Sequence, residues 1–141
     1  MPGKTPGRTQ AALWFAQSER DLGDARFCAS GNRHALACFM AHQCAEKAVT
    51  AFLFASGAED VWGHALADLC QDAMAFEPGF QTIQSAAILL DKHYFMARYP
   101  SALPGGIPAD AYDGNESARA VEIASDVFDF CRQRIAELPS A

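Results

Sequence analysis

Arg98, Tyr99 and Pro100 form the tripeptide with the clearest potential for chemistry in this sequence, and Tyr94 lies four residues before Arg98. A residue before proline is pushed out of the α region, so we expect a helix to end at Tyr99, with Arg98 in or just beyond its last turn. A guanidinium there can bind a phosphate bidentately while Tyr94 or Tyr99 stacks on a base. The arginine can equally do no more than complement the helix dipole, so both interpretations remain open.

Glu46 and Lys47 are further candidates on a second predicted helix. Lys47 can contact a phosphate, and Glu46 can pair with a cation such as Arg98. Adjacent helical residues point about 100° apart, so these two do not simply pair with each other. The more common arrangement for such residues is a solvated lysine beside a glutamate in a structural salt bridge.

His64 is expected near the start of a short helix, where an imidazole can cap the helix, contact a phosphate or act as an acid or base. A single histidine does not distinguish these roles, and capping or packing is the more common one. It is nevertheless retained as a candidate for phosphate binding.

His34, Cys38 and His42 recur every four residues, a spacing that can bring soft metal ligands to one helix face. The same face carries the apolar residues of that helix, no fourth ligand is apparent, and the Glu-x-x-His pattern of di-iron bundles is absent. A Walker-type glycine loop and a nucleophile elbow are also missing from the sequence. We therefore predict no metal, no cofactor and no assured catalytic residue.

These candidates must be positioned by helices, because periodic apolar residues predict four long helices and one short helix with almost no strand pattern. The first helix is expected to stop near Ser30 and Gly31, and Asn32 to cap the second. The second helix, ending at about Ala55, is the predicted central core helix.

The short helix is expected over 65–73, and the fourth carries its apolar residues over 83–94. A loop rich in proline and glycine follows over 99–114, and the last helix resumes from Asn115 and frays at Pro139. The predicted fold is all-α, an up-and-down four-helix bundle with one additional short helix.

The 141 residues are sufficient for one domain, predicted over 9–138 after a disordered N-terminus at 1–8. A formal net charge of −6 argues against bulk electrostatic coating of nucleic acid, so any nucleotide or RNA contact must be local. We expect a cytoplasmic protein, because the chain lacks an apolar run long enough to cross a membrane and a signal-peptide core. The five scattered cysteines are expected to be reduced and buried.

Two separated segments, Gln43-Cys44-Ala45-Glu46-Lys47 and the run from Asp91 to Arg98-Tyr99-Pro100, together resemble the HEPN domain family. That name stands for higher eukaryotes and prokaryotes nucleotide-binding. The resemblance extends from about Leu13 to Ile135 and implies a small all-helical domain that binds a nucleotide or RNA. It also implies a homodimer with a polar cleft, and a minimal nucleotidyltransferase as partner in a toxin–antitoxin-like pair.

Many members of that family are metal-independent ribonucleases in which a histidine follows an arginine after four to six residues. No histidine follows Arg98 in this sequence, so the resemblance favours phosphate binding by Arg98, Tyr99, Tyr94, Lys47 and His64 rather than catalysis. One alternative is an RNA endonuclease that uses Arg98 with a spatially adjacent His64. A second is a non-catalytic interaction subunit, which predicts an exposed apolar groove.

Overall fold

The helix predicted to form the core, α2 at His34–Ala55, lies at the centre of the protein. The computed structural model describes residues 6–61 and 65–139. These ranges contain helices and turns but no strand. Around α2 lie α1 (Pro6–Ser30), α3 (Leu66–Ala73), α4 (Phe80–Asp91) and α7 (Gly114–Ala136). The all-α prediction is therefore confirmed, and none of the described helices is both long and apolar enough to span a membrane.

The turn between α1 and α2 differs from the predicted one. Asn32 was expected to cap α2, but Arg33 occupies that position and Asn32 takes a positive φ of 62°. The amide of Arg33 donates to the carbonyl of Cys28 at 2.8 Å, which closes the last turn of α1. Asparagine tolerates this left-handed conformation better than most residues, so Asn32 turns the chain at the end of α1.

The boundaries of the other helices follow the local chemistry. α1 begins at Pro6, three residues before the predicted domain start, and a proline is well suited to the first turn of a helix. α7 begins at Gly114 because the side chain of Asp113 accepts a hydrogen bond from the amide of Glu116 at 2.8 Å.

The predicted fourth helix is divided into α4 and a short α5 (His93–Met96) at Lys92. Lys92 keeps helical angles, so the two segments follow one another as a nearly continuous rod. The segment predicted as a plain loop contains a 3-10 turn, Pro100–Ala102, and α6 (Pro108–Ala111). Each of these starts at a proline, whose fixed φ favours a helical first turn.

The core combines small residues with a cluster of phenylalanines. Ala41, Ala45 and Ala48 of α2 are fully buried and allow neighbouring helices to approach closely. The ring of Phe80 lies between Phe52 at 4.7 Å and Phe130 at 4.9 Å, measured between centroids. These three rings join the start of α4 to α2 and α7 and thereby fix the rod that ends at Arg98.

Candidate functional site

Arg98 lies just beyond the last turn of α5, where the sequence predicted it. Its amide donates to the carbonyl of Phe95 at 3.0 Å, and Tyr99 is extended, with φ −124° and ψ 127°. The following Pro100 excludes the α region at Tyr99, so the chain leaves the helix at this residue. The half-buried side chain of Arg98 then turns back over the helix end.

Three aromatic rings surround the guanidinium of Arg98. Its Cζ lies 4.4 Å from the ring centroid of Phe39, 4.8 Å from that of Tyr94 and 4.9 Å from that of Tyr99. Its Nε donates to the carbonyl of Tyr94 at 2.8 Å. One donor and the faces of three rings therefore fix the orientation of the guanidinium, and no acceptor among residues 6–61 and 65–139 is paired with its two Nη atoms.

The charge of Arg98 has no carboxylate beside it in the part of the chain that the structure describes. Arg134 is a useful comparison, because its Cζ also lies 4.4 Å from a ring centroid, that of Phe130. Arg134 has two carboxylates, Glu77 at 3.4 Å and Glu137 at 3.3 Å. A partly buried cation without a counterion is suited to an incoming anion, since the anion supplies the missing partner.

A polar seam continues from Arg98 along the contact between α2 and the α4–α5 rod. The imidazole of His42, which is fully buried, packs 5.6 Å from the ring of Tyr94, between centroids. Its Nε2 donates to Oδ1 of Asp91 at 3.0 Å. Glu46 is one turn further along α2, with its Oε2 3.9 Å from Nδ1 of His42.

Asp91 connects this seam to the start of α3. Its two carboxylate oxygens accept the amides of Leu66 at 2.6 Å and Ala67 at 3.0 Å. Burial raises the pKa of Asp91, but the hydrogen bonds from His42 and from these two amides outweigh burial, so the pKa lies below its ordinary value. Asp91 is therefore ionised at neutral pH, and its carboxylate fixes the position of Leu66 and Ala67.

His64, the predicted acid, base or phosphate ligand, lies outside the described residues.

Lys47 lies apart from Arg98. Its Nζ contacts Oδ2 of the buried Asp21 at 2.6 Å, and Gln17 donates to the other oxygen of Asp21. Phe39, which lies under Arg98, is eight residues before Lys47, or about 12 Å along α2 and about 80° around it.

The spacing of His34, Cys38 and His42 does not gather metal ligands. His34 Nδ1 lies 2.8 Å from Oγ of Ser117 on α7, whereas His42 faces Asp91. Burial raises the pKa of the Cys38 thiol to about 12, so the thiolate that a metal needs is disfavoured. Across residues 6–61 and 65–139, no cluster of three histidine, cysteine or acidic side chains has the geometry of a metal site.

Another buried histidine, His93, lies on α5 directly before Tyr94. Nδ1 of His93 is 2.9 Å from the hydroxyl of Tyr112, and both residues are buried. Burial lowers the pKa of His93 to about 4 and raises that of Tyr112, so both side chains are neutral at physiological pH. This pair attaches the segment before α7 to α5 and thereby supports the position of Arg98.

Sequence reasoning missed the contribution of Phe39 and the exposed ring of Phe95. Phe39 is one of the apolar residues of α2, and no sequence signal places it beneath an arginine that follows another helix. Phe95 is 58% exposed, although its neighbours His93 and Ala97 are buried. Its position could have been recognised from helical periodicity, because His93 and Ala97 share one helical face and Phe95 points away from it.

An apolar groove, the feature that the interaction-subunit alternative predicts, lies between the start of α1 and the ends of α2 and α7. It has a volume of about 440 Å³, is lined by Phe15, Ile135 and Leu138, and has Arg8 and Glu19 among its charged residues. Ala55, also in the lining, is sixteen residues after Phe39 on α2, so the groove lies about 24 Å along the helix from the Arg98 site.

Comparisons with known proteins find relatives both by sequence and by fold. The sequence model of the HEPN domain matches residues 11–134. TT1696 from Thermus thermophilus is similar in structure, with a TM-score of 0.81 and 32% identity over 89% of this chain and 98% of that one.

Two further solved structures are similar to this chain. ST0689, an archaeal HEPN homologue, has a TM-score of 0.74 and 34% identity over 89% of this chain and 97% of its own. The HEPN domain protein tm0613 from Thermotoga maritima has a TM-score of 0.73 and 27% identity, covering 89% and 99% respectively. No curated protein sequence matches the chain at a significant level.

Proposed function

The chain belongs to the HEPN domain family, and on that premise we propose that it binds the phosphate group of a nucleotide or of RNA through Arg98. Binding, rather than turnover, is the proposed role, because the sequence has no histidine after Arg98.

The observation that carries this proposal is the environment of Arg98. Three rings and one carbonyl hold its guanidinium, while no carboxylate of the described chain neutralises it. A phosphate oxygen pair can accept from the two Nη atoms, which gives two charge-assisted hydrogen bonds. The orientation is set before binding, so little conformational entropy is lost when the phosphate arrives.

Tyr99 and Tyr94 serve different purposes in this proposal. Tyr99 is 46% exposed, so a nucleobase can stack on its ring. Tyr94 lies between Arg98 and His42 and positions the guanidinium. Lys47 is already paired with Asp21 and lies apart from Arg98, so we assign it a supporting rather than a primary role.

The endonuclease alternative uses Arg98 to stabilise charge on the phosphate and His64 as the acid or base. Asp91 supports this alternative indirectly, since it holds Leu66 and Ala67 close to the α4–α5 rod. Cleavage of RNA that is lost in both Arg98→Ala and His64→Ala would favour the endonuclease over the binding protein.

We also propose a homodimer and a nucleotidyltransferase partner, which the family suggests. The 440 Å³ groove is a separate observation in favour of an interaction role. Sedimentation of the purified chain tests the dimer, and co-purification with a nucleotidyltransferase tests the partner.

Calorimetric titration with ATP, GTP and a short RNA tests the phosphate site. Arg98→Ala should weaken binding by roughly tenfold to a hundredfold, the range for hydrogen bonds to charged groups. Arg134→Ala is the matched control, because that arginine is also packed on a phenylalanine but already has its carboxylates. Equal affinity of the wild type and Arg98→Ala would exclude this site, and no binding at all would favour the interaction subunit.

A further inference from the structure

Two exposed aromatic rings lie side by side next to Arg98. Phe95 is 58% exposed and Tyr99 is 46% exposed. Their ring centroids are 6.2 Å apart, and the ring planes are inclined by 41°. Large aromatic surfaces left in water at adjacent positions favour a partner that covers both of them.

Both rings are fixed from the protein side. The ring of Tyr94 meets that of Phe95 edge to face at 4.7 Å, with an interplanar angle of 80°. The guanidinium of Arg98 lies against the ring of Tyr99 at 4.9 Å. Each exposed ring is thus supported by a neighbour of the Arg98 site, and a ligand on the rings would be next to the guanidinium.

The residues around the rings favour a ligand that carries both flat aromatic groups and a negative charge. Lys92 precedes Phe95 by three residues, and Arg98 follows it by three, so a cation lies on each side of the ring along the rod. Lys92 is 52% exposed and contacts Glu116 at 2.9 Å, so its contribution is the smaller one. The apolar residues Ile88 and Leu89 of α4 are separated from the two rings by Lys92.

We infer that Phe95 and Tyr99 form a two-base platform, on which two consecutive unpaired nucleobases stack while Arg98 binds the phosphate of the same strand. This inference rests on the proposed function and specifies its ligand as a dinucleotide or a longer single strand. With a net charge of −6, the chain cannot rely on many phosphate contacts, so stacking must supply much of the affinity.

The platform is tested by comparing adenosine monophosphate, 5′-phosphorylated diadenylate and the same dinucleotide with one abasic residue, by calorimetry. The diadenylate should bind about tenfold tighter than the other two, because only it can occupy both rings. The deoxy form of the dinucleotide distinguishes an RNA strand from a DNA strand with the same stacking chemistry.

Variants of Phe95 test whether its ring is responsible for the tighter binding of the diadenylate. Phe95→Leu should reduce diadenylate affinity to that of the monophosphate, and Phe95→Trp should preserve the gain, since it keeps an aromatic face. Phe27→Leu is the matched control, because Phe27 is 79% exposed on α1. Equal melting temperatures would establish that these exposed substitutions leave the fold intact.

The outcomes separate this inference from the proposed function. Monophosphate binding that depends on Arg98, with no gain for the diadenylate or no loss in Phe95→Leu, overturns the platform alone. Binding of neither probe, or binding indifferent to Arg98→Ala, overturns the phosphate site as well. A dimer in sedimentation that Phe95→Leu converts to a monomer would show that a second copy of the chain covers the rings, and would also overturn the platform.

Discussion

Nε2 of His42 and Oδ1 of Asp91 are joined by a 3.0 Å hydrogen bond between positions 49 residues apart in the sequence. The same carboxylate accepts the first amides of α3, so a single side chain connects α2, α3 and the α4–α5 rod. The rod carries Arg98 and the exposed rings. The orientation of the candidate site therefore depends on a buried polar contact as well as on apolar packing.

Replacement of Asp91 by asparagine should destabilise the fold by about 1–3 kcal/mol, because the NH2 group that replaces one carboxylate oxygen cannot accept the hydrogen bond that this oxygen accepts. Hydrogen exchange should be faster at these two amides, and urea denaturation should give the loss in free energy of unfolding. Asp72→Asn is the control, since Asp72 is exposed near the end of α3. An unchanged stability would mean that the carboxylate is not needed at the start of α3.

Stability should fall as the pH is lowered from 6.5 towards 4, because the pKa of His93 is lowered to about 4 by burial. Between these values the unfolded chain binds a proton at His93 and the folded chain does not, so acid favours unfolding. The shift from 6.5 to about 4 corresponds to a loss of about 3 kcal/mol. Urea denaturation at several pH values measures it.

His93→Gln should flatten this part of the pH profile, since glutamine can keep a hydrogen bond to Tyr112 but does not titrate. Asp91 adds a separate loss at lower pH. Its pKa is lowered in the folded state, so its stabilisation is complete above its ordinary value and disappears as the pH falls through the folded one. If the stability of His93→Gln fell with pH as steeply as that of the wild type, His93 would not be the group responsible.

Thiol titration should find one cysteine that reacts in the native protein and five after denaturation. Cys28 is partly exposed, whereas the other four are buried (Cys38, Cys44, Cys70 and Cys131). Burial raises the pKa of the Cys44 and Cys70 thiols to about 12, so the reactive thiolate is scarce as well as inaccessible. Reaction with a coloured disulfide reagent at pH 8 gives both counts, and Cys28→Ala should abolish the native one. Rapid reaction of a second thiol without unfolding would contradict the packing.

Phe39→Leu should weaken nucleotide binding a few-fold without abolishing it. The substitution removes the ring 4.4 Å from the guanidinium but leaves the hydrogen bond from Arg98 to the carbonyl of Tyr94. The arginine then loses part of its orientation and must be ordered on binding. Calorimetry with ATP measures the change, and Phe128→Leu, beneath Arg132, is the matched control. An effect as large as that of Arg98→Ala would instead indicate a collapsed site.

Phe80→Ala should cost about 3–5 kcal/mol, because it opens a cavity between Phe52 and Phe130 at the start of α4. Thermal melting and urea denaturation measure the loss. Phe76→Ala removes a ring that is 48% exposed just before α4, and it should change stability by less than about 1 kcal/mol. Similar losses in both variants would argue against the phenylalanine cluster as the support of the rod.

The sequence by itself determined the features that depend on neighbouring residues. Pro100 disfavours the α region at Tyr99, so the chain is extended there and the helix ends before it. The apolar stripe of α2 identified the central helix, whose predicted end at about Ala55 agrees with the observed one. Local sterics and helical periodicity determine these features, so they can be read without knowing the packing.

The tertiary structure alone decided which side chains meet. It paired Lys47 with Asp21, 26 residues away, and placed Phe39 beneath Arg98. Both lysine and arginine have long flexible side chains, and their sequence neighbours do not determine which partner lies within reach. The division of the rod at Lys92 was likewise not evident from the sequence pattern, which predicted one continuous helix. The sequence therefore identified the candidate arginine, and only the fold decided which groups orient its charge.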